Sequence, residues 1–183
     1  MQSETYEYMA KVMCYSWYGF QQELNRNGWC DGNLPSDWVF VSIGNYKPID
    51  GEPHALSECE QVINLNFDDI SGYRVWDALP MVEWTPARKE AYKDVYGMSE
   101  NDAERLYTFL KKHIGKNVMV HCSAGISRSQ GVVKFLTDCY PDVYTETNPN
   151  NPCTLPNYYV SSMLKRFFVF ENYILETKNN TNV

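Results

Sequence analysis

The chain has no apolar run long enough to cross a membrane, no Cys-x-x-Cys pair, only three histidines and no excess of positive charge. Each shortage removes a class of protein. A spanning helix needs about 20 mostly apolar residues, and the opening Met1-Gln2-Ser3-Glu4 is polar and acidic with no apolar core behind it. Neither a membrane partner nor a secretory leader is therefore expected, and the expected location is cytoplasmic. Lys and Arg number 16 against 23 Asp and Glu, a net charge of −7. That balance disfavours a nucleic-acid backbone or an anionic bilayer as the main partner, since either selects a basic face. The histidines (54, 113, 121) and the six cysteines (14, 30, 59, 122, 139, 153) show no zinc-ligand spacing, so no metal and no cofactor are expected. The thiols read as mostly reduced.

What is present is core material. Of the 183 residues, 44% are hydrophobic and 15% aromatic, enough for a single domain, here expected over residues 1–176 with a disordered tail at 177–183. Strands are expected near Val12–Tyr15, at Trp38–Ile43, at Gln61–Phe67 and at Asn117–His121, where β-branched and apolar residues cluster between turn signals. An irregular acidic start precedes the first. Helices are expected near Phe20–Asn27, from Ser99 with Ala103, Leu106, Tyr107, Leu110 and Ile114 on one face, from Ile126 to Tyr140 before Pro141, and from Asn157 to Glu176. The last should bury Val160, Met163, Leu164, Phe167, Phe168 and Ile174. Residues 141–156, rich in Pro and Asn, read as a surface loop. Residues 71–98, rich in Gly, Pro and aromatics, read as one long excursion holding a short helix. Strands alternating with helices imply an α/β fold with a central, mostly parallel sheet flanked by helices.

The informative stretch is Val118-Met119-Val120-His121-Cys122-Ser123-Ala124-Gly125-Ile126-Ser127-Arg128-Ser129. Residues Cys122 to Arg128 must bend between a buried strand and a helix N-terminus, which brings several backbone N–H groups to one point and makes an anion cradle. The thiol lies in that positive field beside Arg128, a setting that favours its thiolate. The planar Arg128 fork can hold two oxygens of a tetrahedral oxyanion at once. Gly125 permits the positive φ or close approach that so tight a loop needs. Ser129 can donate a hydrogen bond to the sulfur, and His121 reads as a residue that orients the loop through hydrogen bonds.

His-Cys-x-Ala-Gly-x-Ser-Arg-Ser resembles the His-Cys-x₅-Arg-Ser signature of the cysteine-dependent protein tyrosine phosphatase superfamily, most of all its dual-specificity branch of compact bacterial and phage type. The likeness covers roughly residues 36–176, specific in the loop and only pattern-level elsewhere. It implies a three-layer phosphatase fold and a metal-free, two-step hydrolysis of phosphotyrosine, with phosphoserine and phosphothreonine left open, on a phosphorylated protein partner. In it Cys122 would form a cysteinyl phosphate, while Ser123, Ala124, Gly125, Ile126, Ser127 and Arg128 would bind the phosphoryl group. Ser129 and His121 would assist.

The same chemistry needs one carboxyl group that first protonates the leaving oxygen and then activates water. Phe67-Asp68-Asp69-Ile70 follows a strand and resembles the family's Phe-acid-Asp pattern, which makes Asp69 the acid and Asp68 its neighbour. Asp69 lies 53 residues before Cys122, farther than the family's usual gap, whereas Asp94, 28 residues before it, fits the gap but follows no strand. The aromatics of 71–98 would either cover the sheet edge or form a lid bearing Arg74, Arg88, Lys89 and Lys93. Leu155-Pro156-Asn157 resembles a loop-closing Pro-Asn and is equally a helix cap. Other readings are phosphatase action on a phosphoinositide or an RNA 5′-triphosphate, rhodanese-like sulfur transfer, and a catalytically silent phosphate-binding module. An exposed thiolate would also oxidise readily, with Cys14, Cys59 and Cys139 as candidate disulfide partners and Cys139 disfavoured because the helix carries it 17 residues away.

Overall fold

A computed structural model describes residues 9–47, 54–147 and 155–180. The acidic start, the Pro- and Asn-rich stretch 148–154 and the last three residues of the chain lie outside the described residues. The elements in chain order are β1 (Ala10–Ser16), α1 (Trp17–Asn27), β2 (Trp38–Gly44), β3 (Val62–Asn66), α2 (Val75–Ala78), α3 (Pro86–Ala91), α4 (Glu100–Lys112), β4 (Asn117–Cys122), α5 (Arg128–Cys139), β5 (Tyr144–Glu146) and α6 (Tyr158–Asn180). The five strands form one sheet in the order β3-β2-β4-β1-β5, and every pairing is parallel.

Alternation along the strands divides the core between two faces, because successive side chains point to opposite sides of a sheet. On one face Phe40, Val62 and Met119 pack with Phe20 and Leu24 of α1 and with Trp29 and Trp38. On the other, Val39, Val41, Ile43, Leu65, Val118 and Val120 pack against α4 (Ala103, Leu106, Leu110), α5 (Val132, Phe135, Leu136) and α6 (Val160, Leu164). The architecture is thus helix, sheet, helix. Strands buried on both faces read as near-continuous apolar runs, as Val118–Val120 and, apart from Ser42, Val39–Ile43 do.

Caps fix where the helices begin. Ser16 Oγ accepts from Gly19 N and starts α1 three residues before its first buried apolar residue, Phe20, while Gly28 closes it at φ 66°. Ser99 and Asp102 cap α4 reciprocally, each side chain accepting from the other's backbone N–H, an arrangement that satisfies two amides the helix cannot.

Four expectations change. The helix after Cys122 starts at Arg128 rather than Ile126, because residues 123–127 are needed for the loop. The supposed surface loop after Pro141 contains β5, a three-residue edge strand on β1, too short to announce itself by period. Ile114 lies beyond the end of α4 and is exposed. Finally α6 continues through Asn180, and Phe167, Phe168 and Ile174 are only half-buried.

Candidate active site

Parallel strands bring their carboxyl ends to one edge, the place where open α/β sheets hold ligands. Cys122 ends β4 between β1 and β2, in register with Ser16, while its neighbour His121 is in register with Ser42. Beyond it the chain turns sharply: Gly125 has φ 71°, and a Cβ there would lie 2.4 Å from Ser16 N and 2.5 Å from Tyr15 C. Only glycine lets the loop lie this close against the end of β1. Trp17 N donates to Ser123 O at 3.1 Å and ties the loop to the start of α1. The loop then runs into α5, whose first-turn amides have no carbonyl within the helix and carry its positive end. Cys122, 2% exposed, sits where strand becomes loop.

Arg128, 4% exposed, is held by three elements. Its Nη1 donates to Gly44 O (3.0 Å) and Phe67 O (2.7 Å), at the ends of β2 and β3, and Nη2 donates to Ser123 Oγ (3.0 Å). Its buried Nε has no hydrogen-bond partner among the described residues. Nη1 is therefore an anchor, and the Nε–Nη2 edge is the part of the fork suited to two oxygens of a tetrahedral anion.

Ser129 Oγ lies 3.1 Å from Cys122 Sγ. A second sulfur stands behind it: Cys14 of β1 donates to Ser129 Oγ at 2.9 Å and to Gly125 O at 3.3 Å. Burial pushes the Cys14 thiol up to about 12, the hydrogen bonds with Ser129 and Gln130 opposing this only in part.

The carboxylate joined to this loop is that of Asp69. Its Oδ1 accepts from Ser127 Oγ (2.7 Å) and from Asn157 Nδ2 (2.9 Å). Asn157 caps α6 and also reaches the loop. Its Oδ1 caps α6 by accepting from Tyr159 N (3.0 Å) and Val160 N (3.2 Å), and its own N–H donates to Ser127 O at 3.0 Å. Gly131 makes this possible, since a Cβ there would meet Asn157 O at 2.7 Å and Val160 Cβ at 2.9 Å. A cavity of about 620 Å³ opens beside the pair, lined by Asp69, Ser127, Pro156, Asn157, Tyr158 and Tyr159 among others.

The other two carboxylates are engaged elsewhere. Asp68 accepts from Tyr96 N (2.9 Å) and Tyr46 N (3.2 Å) and so pins the base of the excursion. Asp94 pairs with Lys47 at 2.6 Å, and that hydrogen bond holds its carboxyl below the usual carboxylate range. Between Asp69 and the start of α4, the 53-residue interval to Cys122 holds α2, α3 and an aromatic cluster. In it Arg74 lies 3.7 Å from the centre of the Tyr96 ring, and Trp84 packs edge-on against Trp76 and Tyr92. These rings pack on one another, with Tyr73 and Tyr92 exposed and Trp76, Trp84 and Tyr96 half-buried, and Tyr96 also packs against Tyr46 just past β2. The cations have local partners: Arg74 Nη1 donates to Lys93 O, Arg88 Nη1 to Glu83 O, Lys89 lies over Trp76, and Lys93 pairs with Glu90.

His121 points to the α1 face. It packs against Phe20 with ring centres 4.3 Å apart, and its Nε2 lies 2.6 Å from Ser42 Oγ, which is also 2.6 Å from His54 Nδ1. His54 in turn reaches Asn66 Oδ1 at 3.1 Å. Burial lowers the His121 pKa to about 3, with His54 adding to the shift, so the ring is neutral. It ties β4 to β2 behind the loop.

The structure therefore gathers Cys122, Ser123, Gly125, Ser127, Arg128, Ser129 and Asp69 at one end of the sheet, with Ala124 exposed and Ile126 half-buried on the loop. Sequence reasoning offered Cys14 only as one of three thiols that could pair with an oxidised Cys122, and it missed Ser42 and His54. Only the strand register could have singled out Cys14, two residues before the Ser16 that faces Cys122. Among the described residues no three His, Cys, Asp or Glu side chains gather as a metal would require, and no helix is long and apolar enough to cross a membrane. No family model, no curated protein and no solved structure matches the chain.

Proposed function

We propose that this protein is a cysteine-dependent phosphatase that hydrolyses phosphotyrosine in proteins through a cysteinyl phosphate. The observation that carries the reading is the joining of Asp69 to the Cys122–Arg128 loop through Ser127, beside an open cavity. A strand-end cysteine alone would suit many roles. A cysteine, a buried arginine with an unpartnered Nε and a carboxylate fastened to the same loop suit phosphoryl transfer.

In the first step the Cys122 thiolate attacks phosphorus, the P–O bond to the tyrosyl oxygen breaks, and the Asp69 carboxyl gives its proton to that oxygen. The loop amides and the Nε–Nη2 edge of Arg128 hold the charge on the three remaining oxygens. In the second step Asp69, now a carboxylate, takes a proton from water as the water oxygen attacks phosphorus and the P–S bond breaks. Inorganic phosphate leaves, and the Ser129 hydroxyl donates to the returning thiolate. Tyr158 and Tyr159 give the cavity aromatic walls that suit a tyrosyl ring.

The test is steady-state hydrolysis of 4-nitrophenyl phosphate with reductant and chelator present. Wild type is expected to turn over, and Cys122→Ser to lose activity by about 10³-fold or more. A folded, reduced wild type without turnover would favour a silent phosphate-binding module.

A further inference from the structure

We propose that Cys14 is a positioning residue for this chemistry: its thiol holds the Ser129 hydroxyl so that the hydroxyl proton points at Cys122 sulfur, and it holds the Gly125 carbonyl on the buried side of the loop. The inference rests on the phosphatase reading of Cys122 but is tested separately from it.

Ser129 Oγ stands between two sulfurs, 2.9 Å from Cys14 and 3.1 Å from Cys122. It has one proton and two sulfurs to offer it to. The choice follows from charge. Cys14 lies among apolar side chains of the α4–α5–α6 face, where burial keeps its proton on sulfur at any ordinary pH. A Cys122 thiolate is the stronger acceptor, because a hydrogen bond to an ion is roughly twice as strong as one between neutral groups. The serine proton therefore goes to Cys122, and the single Cys14 S–H proton is shared between the serine lone pair, the nearer acceptor, and Gly125 O. A carbonyl turned toward the loop's mouth would repel a phosphate, so the 3.3 Å contact to Gly125 O acts in the same direction.

The site is specific in construction. Cys14 and Cys122 occupy adjacent strands, with Ser16 rather than Cys14 directly opposite Cys122, and Ser129 reaches back from α5 into the space between them. The other ionisable groups near the two sulfurs are Arg128 on α5 and, more remotely, Glu146 on β5, which slightly favours a neutral Cys14. Nothing in the two-step chemistry itself needs a second thiol. Its effect should fall on the step in which Cys122 leaves as a thiolate, and on the readiness of that thiolate to form.

The experiment compares wild type with Cys14→Ala and Cys14→Ser by two readouts. One is the pH profile of Cys122 alkylation by iodoacetate, protected by inorganic phosphate. The other is stopped-flow release of 4-nitrophenol. Removing one such hydrogen bond should move the midpoint of the alkylation profile of Cys14→Ala upward and slow the second step about fivefold, leaving a burst of one 4-nitrophenol per enzyme. Cys14→Ser, whose hydroxyl can donate in the same place, should restore both to within about twofold. An alkylation profile in Cys14→Ala that coincides with wild type overturns the proposal. So does a Cys14→Ser variant that is folded by near-ultraviolet circular dichroism yet behaves like Cys14→Ala, since that outcome makes Cys14 mere packing. The alkylation profile reads the Cys14–Ser129–Cys122 chain even in a protein that turns nothing over, so failure of the phosphatase reading would show as absent 4-nitrophenol alone.

Discussion

Asp69 and Asp94 differ by what surrounds them, and under the proposed chemistry that difference selects the proton donor. Asp69 shares hydrogens from Ser127 and Asn157 at the edge of the loop, whereas Asp94 is fastened to Lys47. General acid catalysis by one carboxyl contributes roughly 10²–10⁴-fold. Asp69→Asn should therefore lower kcat for phenyl phosphate, whose leaving group needs a proton, by at least about 10²-fold, and Asp94→Asn should leave it within a factor of about two. Steady-state assays of both variants on that substrate check this, and the opposite ranking would move the acid into the 71–98 excursion. Legibility at this scale was uneven. Cys122, Arg128 and Ser129 stand within eight residues of one another, so their meeting follows from a single turn of chain. Asp69 was legible as an acid just after a strand, but its approach to Ser127 is a tertiary fact. Cys14 was legible only as one of several thiols and His54 not at all, because only the order of strands in the sheet brings them to the site.

At the scale of elements, the site depends on how closely α5 and α6 approach. Gly131 lies under Asn157, with room for no Cβ, and Asn157 is the side chain that joins α6 to Asp69. Gly131→Ala should force the start of α6 away, at a cost of roughly 1–3 kcal/mol from overpacking, although alanine is the better helix former. Thermal unfolding should begin at lower temperature, and turnover of phenyl phosphate should fall more than turnover of 4-nitrophenyl phosphate, whose leaving group needs less help. Equal loss on the two substrates would mean that Asn157 does not act through Asp69. The long elements were readable from period and caps: Ser99 and Gly28 bound helices where the sequence placed those boundaries. The short ones were not. β5 has three residues and gains its identity only by pairing with Ala10–Val12. The helices of the excursion bury little and are shaped by ring-on-ring contacts that have no sequence period.

For the molecule as a whole, the neutral imidazoles behind the loop tie stability to pH. The folded protein holds His121 near a pKa of about 3 and lowers that of His54, both chiefly through burial. An unfolded chain binds a proton at each ring near pH 6.5. Above that value neither state binds the proton and nothing is lost. As pH falls below about 6.5 the unfolded state gains protons that the folded state refuses, so stability declines, by about 2 kcal/mol for His121 alone at pH 5. Urea unfolding at pH 7 and pH 5 should show this loss, and His121→Gln should remove much of it. A wild-type stability that stays level over that range would contradict the assignment. The all-parallel sheet between helices was legible from alternating strand and helix patterns. The division of the core into two faces was not, since a strand such as Val39–Ile43, apolar but for Ser42, gives little sign of which face it turns to which helix.

The central claim is that a phosphoryl group passes through the sulfur of Cys122, and trapping it there is the most direct test. Asp69→Asn, mixed with 4-nitrophenyl phosphate, should form the intermediate without help from an acid and hydrolyse it slowly for want of a base. Rapid denaturation followed by peptide mass spectrometry should then find one phosphoryl group on the peptide containing Cys122, absent when Cys122 is replaced by Ser. Turnover by the wild type with no phosphoryl group on Cys122, or with one on a different residue, would contradict the account.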